Sequence, residues 1–383
     1  MDKQRCIATP QAERFQSPSE QPSRISRFDS QLAEAETLRR PNLPLASVIV
    51  LNYNASMFVE QCVRSVLESD YPNFEVIVVD NGSTDGSYEL LRKLFGTIPN
   101  VRIMRNSRNL GFAEGNNVGY RNSRGDVVVF LNVDTVTERD WLRRLVVALN
   151  SDATIGVAQP RLVSMGHPGS VDSEGGYMDY LGYIYLLGSW YATKPTRKTT
   201  EPFYAEGAAL AIKRSVAESV LLDASIFDPD HFLYYEDSDL CWRVRLSGHR
   251  IVCVRDSVVH HQRAYAAGGV SYTSAYNFTK NHIATLTKNY GLRYLLKWLP
   301  LVVLFESLSA ALLITRAGDI ALAKIRAIFW CLMNFRQPWE KHVYVQRLIR
   351  RVPDSAIVQL MLRPDFRLLL SGSQALTQFV QGR

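Results

Sequence analysis

Residues 47–54, SVIVLNYN, form an apolar run that ends in polar residues, as expected of a buried parallel strand whose carboxyl end opens on a binding site. The same pattern, an apolar run followed by polar residues, recurs at residues 74–87, FEVIVVDNGSTDGS, and at residues 126–135, DVVVFLNVDT. Segments with helical spacing, such as residues 58–67 and 87–94, separate these runs. This alternation predicts an α/β fold with an open, mainly parallel sheet flanked by helices.

Polar side chains follow three of the predicted strands. The three clusters run from Asn52 to Asn54, from Asp80 to Asp85 and from Asn132 to Asp134. Because the carboxyl ends of parallel strands meet at one edge of an open sheet, we expect the clusters to lie close together. A single cluster could be turn chemistry, whereas three in succession indicate a ligand site.

The kind of ligand is narrowed by what the strand ends contain. The first strand is not followed by GxGxxG, and no Walker lysine motif is present, which argues against a dinucleotide site and a P-loop. A carboxylate at the second cluster suits a nucleobase or ribose. Asp134 suits Mg²⁺ or Mn²⁺ on a diphosphate, since these ions prefer oxygen ligands and Mn²⁺ also tolerates imidazole. These residues predict a nucleotide site with a divalent ion.

A second chemically dense stretch spans residues 227–261, FDPDHFLYYEDSDLCWRVRLSGHRIVCVRDSVVHH. Its pattern predicts a helix that begins with three carboxylates, followed by a β-branched strand that ends in two histidines. The arrangement suits a general base beside a metal ligand, although acidic residues at a helix start also cap free N–H groups. The residues concerned are Glu236, Asp237, Asp239, His260 and His261.

Composition and boundaries place this chemistry in a larger chain. The chain has 383 residues, of which 46% are hydrophobic, enough for a sizeable core. Its five cysteines show no CxxC or zinc spacing, and the N-terminus lacks the apolar core of a signal peptide, so we expect a cytoplasmic location. We predict a disordered leader over residues 1–43, a nucleotide-binding and catalytic domain over residues 44–265, and a basic helical extension over residues 266–383.

The extension combines positive charge with apolar surface. The net charge of the chain is +7, and the basic residues between positions 288 and 351 alternate with aromatic residues and leucines. This mixture favours a membrane interface over nucleic acid. Within residues 295–315, LLKWLPLVVLFESLSAALLIT, Pro300 stands near the start and Glu306 divides the apolar run. We therefore predict interfacial helices, while a spanning helix and a buried helical subdomain stay open.

Six motifs together resemble the family 2 glycosyltransferases with the GT-A fold, most of all the rhamnosyltransferase-like branch. Three are the strand motifs above, and the others are NLGFAEGNNVG (residues 109–119), EGAALAIKR (206–214) and FLYYEDSDLCWRVRLSGHRI (232–251). Each motif alone is weak, but six in the family's order and at about its spacing are specific. The resemblance covers residues 46–261.

The resemblance implies an inverting transfer of a sugar from a nucleotide-diphospho-sugar to an acceptor hydroxyl. The donor sugar would be rhamnose or another hexose, and the cation Mg²⁺ or Mn²⁺. The acceptor would be a saccharide, a lipid-linked saccharide or a cell-surface polysaccharide precursor, reached from the cytoplasmic face of the membrane by a peripherally bound enzyme. The donor nucleotide, UDP, dTDP or GDP, stays open, as do the linkage and the oligomeric state.

Residue roles follow by position in the family's motifs. Asp237 matches the catalytic base, with Glu236 as its orienting neighbour or a cap, and Asn132 replaces the first acid of the DxD motif. Arg263 is a further candidate for neutralising the diphosphate. The donor side is predicted to comprise Asn52, Tyr53, Asp80, Asn81, Gly111, Asn132 and Asp134; the metal ligands Asp134 and His261, with His260 in reserve; and the acceptor side Glu206, Gly207 and Asp239, together with residues 172–176 and 207–209.

Two other functions compete with this interpretation. A sugar-phosphate nucleotidyltransferase would carry a Gly-rich, basic loop after the first strand, and residues 51–55 are neither. A catalytically degenerate transferase acting as a scaffold in a membrane assembly is favoured only by Asn132. The presence of Asp80, Asp134 and Asp237 together argues for an enzyme.

Overall fold

The computed structural model describes residues 43–167, 169–188, 201–263 and 270–364. The predicted disordered leader, residues 1–43, lies outside the described residues apart from Leu43. The end of the predicted extension, from residue 365 onward, lies outside them as well.

A single mixed sheet forms the centre of the described chain. Its strands are β1 (Ala46–Asn52), β2 (Phe74–Asp80), β3 (Val101–Arg105), β4 (Val127–Asn132), β5 (Thr135–Thr137), β6 (Ile155–Ser164), β7 (Val171–Met178), β8 (Ile184–Gly188), β9 (Ala209–Lys213) and β10 (Arg250–His261). The order is β3-β2-β1-β4-β9-β6-β10-β5, and β7 and β8 extend from β6. Strands β3, β2, β1 and β4 are parallel, as are β6 and β10, while β9 joins the two groups in antiparallel fashion. The predicted open, mainly parallel sheet is confirmed.

The strand register brings the predicted polar clusters together. Residues 48–50 of β1 are fully buried, because helices cover both faces of the sheet and leave no solvated side for alternating polar residues. Asn52 is aligned with Asp80 on β2, and Leu51 is aligned with Asn132 on β4. The three strand ends therefore share one edge, as the sequence predicts.

The helices of the sheet domain pack on the two faces of the sheet and enclose two apolar cores. They are α1 (Val59–Leu67), α2 (Ser87–Phe95), α3 (Gly111–Arg121), α4 (Trp141–Ser151), α5 (Arg214–Ser219) and α6 (Glu236–Leu246). One core takes buried side chains from α1, α2 and α4, and the other takes them from α3, α5 and α6. The sheet thus has helices on both faces, as predicted.

Helix α3 packs unusually close to the sheet because it carries glycines on its inner face. A Cβ added to Gly115 would lie 2.6 Å from Leu51 Cδ1, and one added to Gly119 would lie 2.4 Å from Ile49 Cγ2. Both distances are shorter than van der Waals contact. These glycines therefore allow α3 to pack closely on β1.

The C-terminal helices share a core with the sheet domain. They are α7 (Tyr272–Asn289), α8 (Leu292–Leu313), α9 (Gly318–Met333), α10 (Arg336–Tyr344), a π-helical turn (Val345–Ile349) and α11 (Asp354–Val358). Tyr290, just after α7, meets Trp242 of α6 edge to face with ring centroids 4.8 Å apart. Val302 and Ile349 belong to the same buried cluster. The helical part therefore packs directly on the helix that carries the predicted base.

Helix α8 continues through Glu306, so the predicted division at this residue does not occur. The carboxylate turns inward and lies 2.5 Å from Lys324 Nζ, 3.2 Å from His282 Nδ1 and 3.2 Å from the Tyr183 hydroxyl. A buried, paired charge leaves the outer face of the helix apolar. Among the described helices, α8 is the one whose length and composition would suffice to cross a bilayer.

Candidate active site

Asp237 lies in the first turn of α6, and its carboxylate is held by two backbone N–H groups. Gly207 N donates to Oδ2 at 2.9 Å and Ser238 N donates to Oδ1 at 2.6 Å. Tyr234 and Tyr235, which precede the helix, have φ angles of 70° and 69°, a left-handed conformation that costs free energy for residues other than glycine. Strain of this kind is typical of functional sites, so the carboxylate is fixed by a costly turn.

The protonation of Asp237 suits a general base. Burial raises its pKa to about 6, the Gly207 hydrogen bond opposes this rise, and the nearby charge of Glu206 adds to it. A carboxyl group with a pKa near 6 is ionised at neutral pH, yet is more basic than an ordinary aspartate.

Glu236 and Asp239, the other two acids in the first turn of α6, are both buried. Burial raises the pKa of Glu236 well above its usual range, and the charge of Asp237 adds to the rise. Asp239 is fully buried, paired with Arg243 at 3.1 Å and Lys288 at 3.0 Å. The predicted acceptor-side position of Asp239 is therefore corrected, because its helix turns it toward α7.

His261 and Asp134 come together at the sheet edge. His261 ends β10, aligned with Thr135 of β5, and its Nε2 lies 3.5 Å from Asp134 Oδ1. Its Nδ1 lies 2.9 Å from Asp172 Oδ2 on β7. Burial alone would lower the pKa of His261, but hydrogen bonds with Asp134 and Asp172 raise it to about 9. The imidazole is held between two carboxylates.

His260 points away from this pair. Adjacent residues of a strand face opposite sides of the sheet, and His260 Nε2 lies 3.4 Å from Glu138 Oε1, with 38% of its side chain exposed. The structure therefore places His261, and not the reserve candidate His260, beside Asp134.

A chain of charged side chains connects the histidine to the predicted base. Asp172 contacts His261 with one oxygen and Arg263 Nε with the other, and Arg263 Nη2 lies 3.1 Å from Glu206 Oε1. Glu206 is followed by Gly207, the donor to Asp237. Arg263 is thus occupied by two carboxylates, which raise its pKa against the effect of burial. Sequence reasoning placed Asp172 only in an acceptor-lining loop and missed its contact with His261.

On the donor side, several predicted residues hold the strand ends together. Asn52 and Asp80 are fully buried, and Asn52 Nδ2 donates to Asp80 Oδ1 at 2.8 Å. Asn81 Nδ2 donates to Asn109 Oδ1 at 2.9 Å and to the carbonyl of Gly111 at 3.1 Å. These contacts hold the strand ends and the start of α3 in place at this edge of the sheet.

Other predicted donor-side residues reach the surface or define a close approach. Tyr53 is 39% exposed, and Asn132 is half-buried at the end of β4. Gly111 has a φ of 84°, and a Cβ there would lie 2.5 Å from the Phe232 carbonyl oxygen. Glycine is needed at this position for the loop before α6 to pack on the start of α3.

The Asp134 and His261 pair matches the donor types that Mn²⁺ accepts. Neighbouring octahedral ligands of such an ion lie about 3 Å apart, close to the observed 3.5 Å between Asp134 Oδ1 and His261 Nε2. In the described ranges, no group of three or more His, Cys, Asp and Glu side chains is arranged to hold an ion. Asp134 and His261 would be the residues that hold such a cation, which would neutralise charge on a bound diphosphate.

Parts of this chain are similar in sequence to known proteins. An uncharacterized protein, y4gI, from Sinorhizobium fredii is 29% identical over 233 residues, 59% of this chain and 25% of that protein. An uncharacterized glycosyltransferase from Haemophilus influenzae is 34% identical over 103 residues, 27% of this chain and 41% of that protein. This chain therefore spans less than half the length of either relative.

One solved structure is similar to this chain in fold, and one protein family matches part of its sequence. The structure of GalNAc-T7 with UDP, GalNAc and Mn²⁺ superposes with a TM-score of 0.55 and 17% identity, covering 79% of this chain and 58% of that one. This likeness confirms the predicted GT-A fold. Residues 47–220 match the family described as Glycosyl transferase family 2. Residues 47–220, somewhat less than half of this chain, are thus similar to the glycosyl transferase family 2.

Proposed function

We propose that the chain is an inverting glycosyltransferase that moves a sugar from a nucleotide-diphospho-sugar to an acceptor hydroxyl, with Asp237 as the base. The observation that carries the proposal is the continuous set of contacts from Asp134 through His261, Asp172 and Arg263 to Glu206, whose neighbour Gly207 holds Asp237. A base and a cation-type pair are thereby fixed relative to each other at one edge of the sheet.

The chemistry of direct displacement needs both parts. The Asp237 carboxylate takes the proton of the acceptor hydroxyl as its oxygen attacks the anomeric carbon, and the bond to the diphosphate breaks on the opposite face. Asp134 and His261 would hold a divalent cation, which would neutralise charge on the leaving diphosphate. Direct attack inverts the anomeric carbon and requires no covalent enzyme intermediate.

Finer features of the proposal come from the motif resemblance. We propose rhamnose as the transferred sugar, a nucleoside diphosphate as the leaving group, and Mg²⁺ or Mn²⁺ as the cation. Among the donor-side residues, Tyr53 and Asn132 are the ones with exposed surface for direct donor contact. The boundaries proposed for the catalytic domain and the extension remain residues 44–265 and 266–383.

The outer faces of α8 and α9 suit a membrane surface. We call them the apolar face: its exposed members are Leu296, Leu304, Leu308 and Leu312 of α8, and Leu322, Ile325, Phe329, Leu332 and Met333 of α9. Only 22% of the most apolar window of α8 is buried inside the protein. Exposed basic residues flank this face at Arg293, Lys297, Arg316 and Arg336, as interfacial helices on anionic lipid require. We propose peripheral attachment to the cytoplasmic face of a membrane and a lipid-linked saccharide acceptor.

Donor hydrolysis tests the proposed function. Release of nucleoside diphosphate is measured over a panel of nucleotide sugars with Mn²⁺ or Mg²⁺, for the wild type, Asp237→Asn and Asp134→Ala. Asp256→Asn is the matched control, since Asp256 is an exposed carboxylate on the strand that carries His261. Turnover of one donor that is lost in both site variants and kept in the control would support the proposal. Nucleotide binding without turnover of any donor or acceptor would favour the scaffold function instead.

A further inference from the structure

A groove with unusual chemistry lies between α7 and α9. Its volume is about 450 Å³, and it is open to solvent along one side. Most of its surface is apolar or aromatic, and one residue among those that line it carries a charge. The lining residues are Tyr272, Tyr276, Arg326, Phe329, Trp330, Met333 and Asn334.

The single charge gives the groove a polarity that favours an anion. Arg326 is exposed, its Nη1 donates to the Tyr272 hydroxyl at 3.1 Å, and none of the described residues that line the groove is a carboxylate. Guanidinium groups bind phosphate through a planar set of donors. Tyr272 holds the guanidinium at the groove, so a phosphate there would meet a positioned cation.

The apolar part of the groove is continuous with the apolar face. Phe329 and Met333 line the groove and also belong to that face, with 62% and 68% of their surface exposed. Exposed side chains of this size form an interaction surface when they are contiguous. A hydrocarbon chain could therefore pass from a bilayer into the groove without crossing water.

Helix α7, one wall of the groove, also contacts the segment before the base. Ser274 lies on α7 two positions from both Tyr272 and Tyr276, and the Tyr234 hydroxyl donates to its Oγ at 3.4 Å. Tyr234 precedes Asp237 by three residues, so their Cα atoms are at most about 11 Å apart. The helix that forms one wall of the groove therefore also packs on the segment that positions the acceptor-side base.

A second contact from α7 reaches the loop that leads into α6. Lys280 Nζ lies 5.3 Å from the centre of the ring of Trp330, a groove residue, and donates to the Asp230 carbonyl at 2.6 Å. Lys280 therefore contacts both the groove residue Trp330 and the loop before α6.

We propose that this groove binds the acceptor, with Arg326 on a phosphate group and the aromatic and methionine side chains on the first part of an attached isoprenoid-type chain. The inference rests on the proposed transferase function and makes it more specific. The acceptor is then a lipid phosphate or diphosphate saccharide, whose sugar hydroxyl extends toward Asp237 while its hydrocarbon chain leaves along the apolar face.

The test is calorimetric titration of the full chain, in detergent, with farnesyl diphosphate, farnesol and inorganic pyrophosphate. We expect wild-type protein to bind farnesyl diphosphate more tightly than either part alone. Arg326→Ala should weaken the binding of farnesyl diphosphate by about tenfold or more, because a charge-assisted phosphate contact is lost. The affinity for farnesol should be unchanged. Phe329→Ser should weaken both isoprenoid probes.

Two matched controls lie outside the groove. Arg336→Ala removes an exposed arginine of α10, and Leu304→Ser removes an exposed leucine of the apolar face on α8. Both should retain farnesyl diphosphate affinity within about twofold, although Leu304→Ser should reduce sedimentation with anionic vesicles. Thermal melts establish that each variant is folded, and Arg326→Lys replaces Arg326→Ala if that variant is not.

The inference is overturned by any of three results: no binding of farnesyl diphosphate to the wild type, equal losses in Arg326→Ala and Arg336→Ala, or displacement of the probe by phosphatidylglycerol vesicles, which would make the groove a bilayer-lipid site. Donor hydrolysis on the same samples separates the two claims. Intact donor turnover without probe binding refutes only the groove. Probe binding without any nucleotide binding refutes the transferase and, with it, the acceptor role of the groove, which is then a lipid-phosphate site of another function.

Discussion

His261 Nδ1 lies 2.9 Å from Asp172 Oδ2, although 89 residues separate the two in the chain. Because this contact occupies Nδ1, the other ring nitrogen, Nε2, is the one that faces Asp134. A carboxylate behind a metal-binding histidine fixes the ring and its tautomer and increases its basicity. Asp172 is thus placed to act on a cation through His261 without touching it.

Asp172→Asn should weaken Mn²⁺ binding by about 10-fold to 100-fold, the usual cost of losing the group behind a metal-binding histidine. Electron paramagnetic resonance of free Mn²⁺ measures this affinity independently of turnover. Asp256→Asn, an exposed carboxylate on the same strand as His261, should bind Mn²⁺ like the wild type. Equal affinities in Asp172→Asn and the control would show that Asp172 only supports the fold.

The pH dependence of Mn²⁺ binding should report on His261. Its pKa is raised to about 9 by Asp134 and Asp172, so at neutral pH the imidazole of the metal-free protein is protonated and must lose that proton to coordinate. Affinity should therefore rise about tenfold per pH unit between pH 7 and pH 9. Calorimetry in two buffers of different ionisation enthalpy should count about one proton released per ion.

The same shift has a consequence for the metal-free fold. A raised folded-state pKa means that protonated His261 contributes stability that is fully present below the ordinary pKa of 6.5 and is lost as pH rises toward about 9. His261→Asn should remove this part of the pH dependence of Tm. A Tm profile identical to that of the wild type between pH 6 and pH 9 would contradict the pairing.

The rate of transfer should follow the ionisation of Asp237. Its pKa is raised to about 6, so kcat/KM should fall about tenfold per unit below pH 6 and level off above it. Glu206→Gln should move this limb to lower pH, because the Glu206 charge helps to raise the pKa of Asp237. The measurement is the pH profile of kcat/KM at saturating Mn²⁺. If the acidic limb of the Glu206→Gln profile lay at the same pH as that of the wild type, the charge of Glu206 would not raise the pKa of Asp237.

Removing the base should cost activity and not stability. Asp237→Asn should lower kcat by about 100-fold to 10,000-fold, since the attacking hydroxyl loses its proton acceptor. A raised carboxyl pKa means that ionised Asp237 disfavours the fold at neutral pH, so the variant should melt no lower than the wild type at pH 8. A large drop in Tm would instead indicate a structural carboxylate.

The sequence was sufficient for the sheet edge because strand patterns and turn residues are local signals. The apolar runs end at Asn52, Asp80 and Asn132, and the register of the parallel strands brings these ends to one edge. The choice between His260 and His261 was beyond local reasoning. It depends on which side of β10 faces Asp134, and an irregularity in the β10 and β6 register, between Val254 and Val258, changes the alternation.

Long-range charge pairs were also beyond sequence reasoning. Asp172 contacts His261 because β7 pairs with β6 and β6 pairs with β10. The spacing of residues in the sequence does not predict these two pairings. Asp239 reads as one of three acids at a helix start, yet its position on α6 turns it into the interior against Lys288. Glu306 reads as an interruption of an apolar run because its partner Lys324 lies on the next helix.

Glu306→Ala should destabilise the helical part by about 3 to 5 kcal/mol, because it leaves the buried Lys324 ammonium uncompensated. The double variant Glu306→Leu with Lys324→Met should recover most of this loss, since it removes both charges together. Urea unfolding measures the free energies, and Glu340→Ala is the matched control: its partner Arg336 is 89% exposed, so its free energy of unfolding should stay close to that of the wild type. If the double variant were as unstable as Glu306→Ala, the His282 and Tyr183 contacts of Glu306, and not its charge pair, would hold α8 in place.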